Sequence, residues 1–485
     1  MISKSFIKSS FIYTIVGALP LASSILLLPF YGNQSLLTTS DYGMLAIYLT
    51  IAELGRVLFT FATDNFIGLN YIHYSNSEKQ KETFIGTSAL FMLLYGVILL
   101  LVLSSLGQSI FDLAYPGKNI NFFPYGFASL LTGMLNGNFK AYTTLQIYRE
   151  KPLPYFWANI TQVSIIITIS IVGLYLKPLS LDAPIYARLT ASIVSFIWAF
   201  SFFISHGKLT IDFKILKRLF SYAAPLYVYY LLYWIINNID RYLILGLISK
   251  ESVAIFDFAV KVTMALELFQ SGLAGAISPK VFKLWKSNND NPWGTIEINK
   301  YYHVYALINI AIIPLYYFIL PIAIPLVVNN TALYSSFCFL PILFATRATR
   351  IWYYYLSSPI FYFQKTKIMP IVFATVAVFQ VGLTYMLIKL MGINGALWAN
   401  FATRLFQATL IYLYVRTFYK LNINTKKMFL FPGINILCLI LLFILDLNVF
   451  LNVAILATIT SISSYLTYHK ELDIRSIKRM VLNRD

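Results

Sequence analysis

The chain has 485 residues, of which 59% are hydrophobic, 17% aromatic and only 12% charged, with a mean hydropathy of +0.71. That balance excludes a soluble domain of any ordinary class, although length alone would suggest about three of them. A formal charge of +18, from 37 basic and 19 acidic side chains, offers little to a nucleic-acid reading, because the basic residues are spread over separate short segments with no binding fold between them.

Apolar runs of about 20 residues recur along the chain, each long enough to cross a bilayer as a helix. In chain order they predict fourteen spans: 10–31, 41–62, 84–106, 121–145, 154–176, 184–205, 219–247, 252–277, 303–327, 334–357, 367–388, 393–415, 428–446 and 449–468. The first follows "MISKSFIK", which resembles the basic start of a signal peptide. No small-x-small cleavage site closes its apolar run, so this helix is expected to stay.

If the N-terminus is cytoplasmic, only Lys118, Lys177, Lys250 and Lys389 fall in outer loops; eight basic residues lie inside spans, and the other 25 of the 37, with Lys367 at the very start of its span counted among them, fall in inner loops and tails. This asymmetry places both termini inside. It also makes the inner face a surface for anionic lipid.

Catalytic groups are not in evidence. Cys338 and Cys438 both fall in spans, His73, His206, His303 and His469 lie near the ends of different spans, and no phosphate-cradling G-x-x-x-x-G-K-[ST] occurs. A membrane glycan polymerase or ligase would carry its chemistry on a large external loop, whereas the longest outer segment here, "GQSIFDLAYPGKNI", has Asp112 as its only acid. The expectation is a transporter with no cofactor and no metal.

The chain also reads as doubled. "LPLASSILLLPF" followed by "TTSDYGMLAIYL" is echoed by "APLYVYYLLYW" followed by "SKESVAIFDFAV", and "YREKPLPYFWANITQVSIIITISIVGLYL" by "FQKTKIMPIVFATVAVFQVGLTYMLIKL". Both halves start inside, so they are parallel repeats of six spans. The expected domains are residues 1–212, 213–420 and a pair of added helices with a tail over 421–485.

Three segments carry a family resemblance: "LTTSDYGMLAIYL", "YAAPLYVYYLLYWIINNIDRYLILGLISKESVAIFDFAVKV" and "QKTKIMPIVFATVAVFQVGLTYMLIKLMGINGALWANFATRL". They contain an acidic-Tyr-Gly turn, an Asp-Arg pair and a Gly-Ile-x-Gly-Ala helix opening. The whole chain resembles a Wzx-type polysaccharide-unit flippase of the multidrug/oligosaccharidyl-lipid/polysaccharide exporter superfamily. Ala254 and Phe256 depart from the glycine and tyrosine common there. The resemblance implies an all-α polytopic membrane protein of MATE-like fold, with two six-helix lobes around a central cavity, in the bacterial cytoplasmic membrane. The implied cargo is an undecaprenyl-diphosphate-linked oligosaccharide, moved from the inner to the outer leaflet. A glycan polymerase and a chain-length regulator are expected as neighbours, and the flippase itself is expected to be a monomer. A cation-coupled multidrug antiporter and a lipid II flippase of the same superfamily are the alternatives. The antiporters commonly place a carboxylate in their first helix, and residues 10–31 hold none.

A charge at mid-bilayer costs about 3 kcal/mol on the gentler scales, so in-span charges must pair, snorkel or face water. Arg347 and Arg350 share a helix face about 6 Å apart, where two guanidinium groups repel by about 3 kcal/mol at an effective dielectric near 20. With Arg404 they have no acid on their own helix and are expected to form a cationic wall for the diphosphate. Lys261, Arg56 and Arg241 are further candidates; Arg56 is spaced to pair with Glu53 and Lys261 with Asp257. Lys140 and Arg188 lie close enough to the membrane surface to snorkel. Tyr227, Tyr230, Tyr233 and Trp234 lie too deep for an interfacial belt and could face sugar or simply pack between helices, whereas Tyr353 to Tyr355 sit where a belt would be. Glu267, Glu53 and Asp257 are the candidates for ion coupling, Glu267 foremost because no base lies within one turn on its own helix.

Overall fold

A chain within lipid must satisfy its backbone amides internally, which helices do. The computed structural model is all-helical, apart from one isolated bridge between Trp293 and Lys420, over the residues it describes: 13, 16, 17, 19, 20, 23–71, 73, 74, 77–118 and 120–469. The helices are α1 (Thr39–Thr60), α2 (Thr63–Tyr71), α3 (Glu78–Ala114), α4 (Tyr125–Tyr148), α5 (Pro152–Leu176), α6 (Asp182–His206), α7 (Phe213–Leu247), α8 (Lys250–Ser287), α9 (Ile296–Val327), α10 (Leu340–Ala348), α11 (Arg350–Tyr362), α12 (Met369–Met391), α13 (Ile393–Val415), α14 (Phe431–Leu445) and α15 (Val449–Tyr468). Among the described residues ten helical stretches are long and apolar enough to cross a membrane, fewer than the fourteen expected. Helices also cover the expected spans 121–145, 252–277 and 393–415, as α4, α8 and α13, but these are more polar. Residues 10–12, 14, 15, 18, 21 and 22 of the first expected span lie outside the described residues.

Two compact units are found, one reaching to Asp257 and including Val328–Leu333, the other made of Phe258–Val327 and the chain from Tyr334 onward. α7 belongs to the first because it packs on α1, α2 and α3. The expected 212/213 boundary follows the repeat read in the sequence, a criterion separate from compactness.

In the first unit α4 is central, packed against α1, α2 and α6. Its approach to α1 depends on glycine: a Cβ at Gly133 would lie 2.6 Å from the Ala52 carbonyl oxygen, and one at Gly137 2.6 Å from Thr60 Oγ1. This small-xxx-small spacing lets two backbones meet where the hydrophobic effect cannot drive them together. α1 begins with a reciprocal cap, in which Thr38 Oγ1 accepts from the Asp41 amide at 3.0 Å and donates to Asp41 Oδ2 at 2.6 Å. A Cβ on Gly43 would fall 1.9 Å from the Lys250 carbonyl oxygen, so only glycine allows α1 to lie against the start of α8. The acidic-Tyr-Gly turn read from the sequence is therefore a helix cap followed by a contact point.

In the second unit α12 and α13 form a hairpin, α10 packs on α14, and α9 on α15. Gly392 takes a left-handed φ of +60° at the hairpin turn, and a Cβ on Gly395 would stand 2.0 Å from the Leu387 carbonyl oxygen. Those two positions account for the glycines of "GINGA". The last two helices are joined by polar contacts, since Asn435 donates to Ser463 Oγ at 3.1 Å and accepts from Thr460 at 2.7 Å. Asn452 of α15 donates to Tyr317 of α9 at 3.2 Å.

Candidate substrate-binding site

The sequence poses the problem of two arginines repelling each other in an apolar segment, and within the second unit the solution comes from α8. Glu267 places one carboxylate oxygen on each guanidinium, Oε2 on Arg347 Nη1 and Oε1 on Arg350 Nη1, the latter at 2.5 Å. Glu267 has no base within one turn on its own helix, as expected, but it has two partners on other helices, where spacing along α8 does not reveal them. A break at Thr349 separates α10, which ends beside Arg347, from α11, which begins at Arg350. Arg404 of α13 is close enough for its charge to act on the same carboxylate.

Three residues not expected from the sequence support this cluster. Gln270, one turn beyond Glu267, donates to the Arg347 carbonyl at 3.1 Å, which fixes α8 against the end of α10. The Arg350 guanidinium lies 5.8 Å from the Tyr354 ring centre, and Tyr305 packs edge-on against that ring at 5.8 Å. The only sequence signal for Gln270 is its i+3 spacing from Glu267. Tyr355, expected in an interfacial belt, is instead buried, and its hydroxyl is 3.2 Å from both Asn299 Oδ1 and the Leu421 carbonyl oxygen.

Accessibility separates the charged groups. Side chains of Arg347, Arg350 and Glu267 are 15%, 20% and 25% exposed, so each keeps part of its surface open. Arg241 and Asp257 in the first unit are 6% and 2% exposed; Arg241 Nε donates to Asp257 Oδ1 at 2.7 Å, and Tyr42 donates to Asp257 Oδ2 at 3.2 Å. Arg241, expected as a cavity cation, and Asp257, expected as an ion-coupling group, thus meet in a buried ion pair. Lys261 is also buried. Arg56 and Glu53 are both exposed, and among the described residues the expected ion pair between them is not formed. Arg188 donates to Tyr31 Oη at 2.8 Å and to the Pro184 carbonyl at 2.9 Å.

A family model described as "Polysaccharide biosynthesis protein" matches residues 35–336, well over half of the chain. The chain belongs to that family. No curated protein matches it by sequence. A solved structure of the lipid II flippase MurJ, in an inward closed conformation, is 17% identical, with 96% of this chain and 99% of that one covered and a TM-score of 0.71. An inward-facing multidrug resistance MATE family transporter of the MOP superfamily is 14% identical over 86% of this chain and 98% of its own, with a TM-score of 0.65. A mutant form of the Vibrio cholerae MATE transporter VcmN is 13% identical over 85% of this chain and 96% of its own, with a TM-score of 0.56. The fold is thus that of the MurJ and MATE transporters, and together with the family match it fits a Wzx-type flippase.

In this polysaccharide biosynthesis protein the family match ends before Arg347, Arg350 and Arg404. Their grouping rests on geometry alone. The aromatic stripe of α7 is mostly held by neighbours: Tyr227 lies 4.6 Å from Phe61 between ring centres, Tyr230 accepts from Asn65 at 3.1 Å, and Trp234 donates to the Thr50 carbonyl at 3.2 Å. Tyr233 is 41% exposed and is the one of the four most open to a ligand.

Proposed function

We propose that this polysaccharide biosynthesis protein is a flippase that translocates undecaprenyl-diphosphate-linked oligosaccharide repeat units from the cytoplasmic to the periplasmic leaflet. The observation that carries the reading is the pair of partly exposed guanidinium groups, Arg347 and Arg350, on the one carboxylate of Glu267, with Arg404 as a third cation whose charge acts on it. Its formal excess is two positive charges, which complements the two ionised phosphates of a diphosphate diester. Arginine suits the role, because its planar fork grips phosphate oxygens bidentately and it stays protonated in a low-dielectric site. Tyr233, with Tyr227, Tyr230 and Trp234 behind it, supplies aromatic surface for sugar rings. A proton-coupling role is assigned to Glu53, which is exposed and makes no ion pair among the described residues, in preference to Glu267.

A cation-coupled multidrug antiporter would need accessible acids in excess of bases, the reverse of this cluster. A lipid II flippase carries a diphosphate cargo as well, and the polysaccharide biosynthesis family match favours the oligosaccharide. Deleting the gene in its native host is expected to arrest glycan export with completed lipid-linked units retained. Unchanged export with altered drug tolerance would support the antiporter.

The charge asymmetry supports a position in the cytoplasmic membrane with both termini inside. A periplasm-active reporter is expected to give signal when fused after Asn330 and none after Lys426; the reverse pattern would invert the topology.

A further inference from the structure

Glu267 is an unusual group to find in an anion site, because it occupies the guanidinium faces that phosphate oxygens would take. Its two oxygens are divided between Arg347 and Arg350 as two oxygens of one phosphate group would be. We infer that Glu267 is a built-in competitor of the cargo: its carboxylate holds Arg347 and Arg350 in the empty site and must give them up when a diphosphate enters. This rests on the reading of the arginine cluster as the diphosphate site.

In the empty site the carboxylate cancels the repulsion of the two guanidinium groups, which otherwise would turn away from each other. In the occupied site the broken carboxylate contacts are subtracted from cargo affinity, so binding is weaker than three arginines alone would give. A transporter benefits from that subtraction, since a cargo held too firmly is not released on the far side. The buried Arg241–Asp257 pair cannot play this part, being closed off from any ligand. Gln270 holds the backbone at Arg347, and the Tyr354 ring the Arg350 guanidinium, while the carboxylate swings away, because neither contact involves Glu267.

Selectivity falls to Arg404. Monophosphate and diphosphate both displace the carboxylate from Arg347 and Arg350, so its cost is common to the two; the diphosphate alone has a second group left for Arg404, whose charge acts on the same carboxylate.

The test is binding of farnesyl diphosphate, farnesyl monophosphate and inorganic pyrophosphate to the purified full-length protein in detergent. The wild type is expected to prefer the diphosphate lipid to both other probes. Glu267→Gln is expected to bind farnesyl diphosphate at least about tenfold tighter, given the strength of contacts to charged groups, to tighten on the monophosphate as well, and to export glycan more slowly. Glu267→Asp keeps the charge on a shorter arm that cannot bridge both arginines, and is expected to tighten binding by a smaller factor; it serves if the glutamine variant is not monodisperse. Unchanged or weaker binding by these variants, with binding still lost in Arg347→Ala and Arg350→Ala, would overturn the competitor role while leaving the diphosphate site intact. Wild-type binding that ignores both arginine substitutions would instead overturn the site itself. Equal affinity of the wild type for pyrophosphate and farnesyl diphosphate would overturn a lipid-borne ligand.

Discussion

Replacing Arg347 and Arg350 together by alanine is expected to cut glycan export by about 100-fold or more while leaving the protein inserted in the membrane. A charge-assisted hydrogen bond to phosphate contributes about 1.5–3 kcal/mol, and each 1.4 kcal/mol is a factor of about ten, so the two arginines together reach or exceed that loss. Single alanine variants, and Arg404→Ala, are expected to lose about tenfold each. Alanine at both positions also strands the Glu267 carboxylate, so the double variant is best compared with one that carries Glu267→Gln in addition. Lysine replacements should rescue in part, since the charge returns without the bidentate fork. The readout is surface glycan in a deletion strain complemented with each variant at matched protein level. Full export by the double alanine variant would remove both arginines from the substrate site.

Asp257→Ala is expected to destabilise the protein by about 3–5 kcal/mol, because it leaves the Arg241 guanidinium buried without its counter-ion. Little folded protein should be recovered from the membrane, and thermal unfolding of the remainder in detergent should fall well below the wild type. Arg241→Met combined with Asp257→Leu removes both charges at similar volume and is expected to restore most of the stability. The same double variant separates two roles for the pair. If it is structural, as burial and the Tyr42 contact indicate, export returns along with stability. A stable double variant without export would return Asp257 to the transport machinery.

Much of the helical layout was legible because a bilayer imposes a length on each apolar run, and helices form over each expected span from 41–62 to 449–468. Their ends were less so. α3 and α8 run to 37 and 38 residues, extending past the apolar stretch through polar segments. Arg347 and Arg350 stood out because charge in an apolar segment is costly, whereas their counter-ion lies 80 residues away in sequence. Nothing along one helix reveals a partner on another. For the same reason Arg241 and Asp257 read as separate functional groups; their pairing across 16 residues depends on how α7 and α8 meet. Glu53 and Arg56 err in the opposite direction, since i,i+3 spacing permits a pair without compelling one. The glycines of "SDYG" and "GINGA" were visible as motifs, but their reasons, a carbonyl oxygen within 2.0 Å of a would-be Cβ on Gly43 and Gly395 and a φ of +60° at Gly392, exist only in the folded protein.

The central claim, that the cargo is a diphosphate-linked glycan moved between leaflets, is tested most directly by locating lipid-linked repeat units in membranes of the native host. In the deletion strain they are expected to accumulate and to be accessible only from the cytoplasmic face, to a membrane-impermeant glycan-modifying reagent applied to everted vesicles. Complementation with the wild-type gene should return them to the periplasmic face, and the Arg347→Ala, Arg350→Ala double variant should not. Repeat units that reach the periplasmic leaflet equally well with and without the gene would contradict the account.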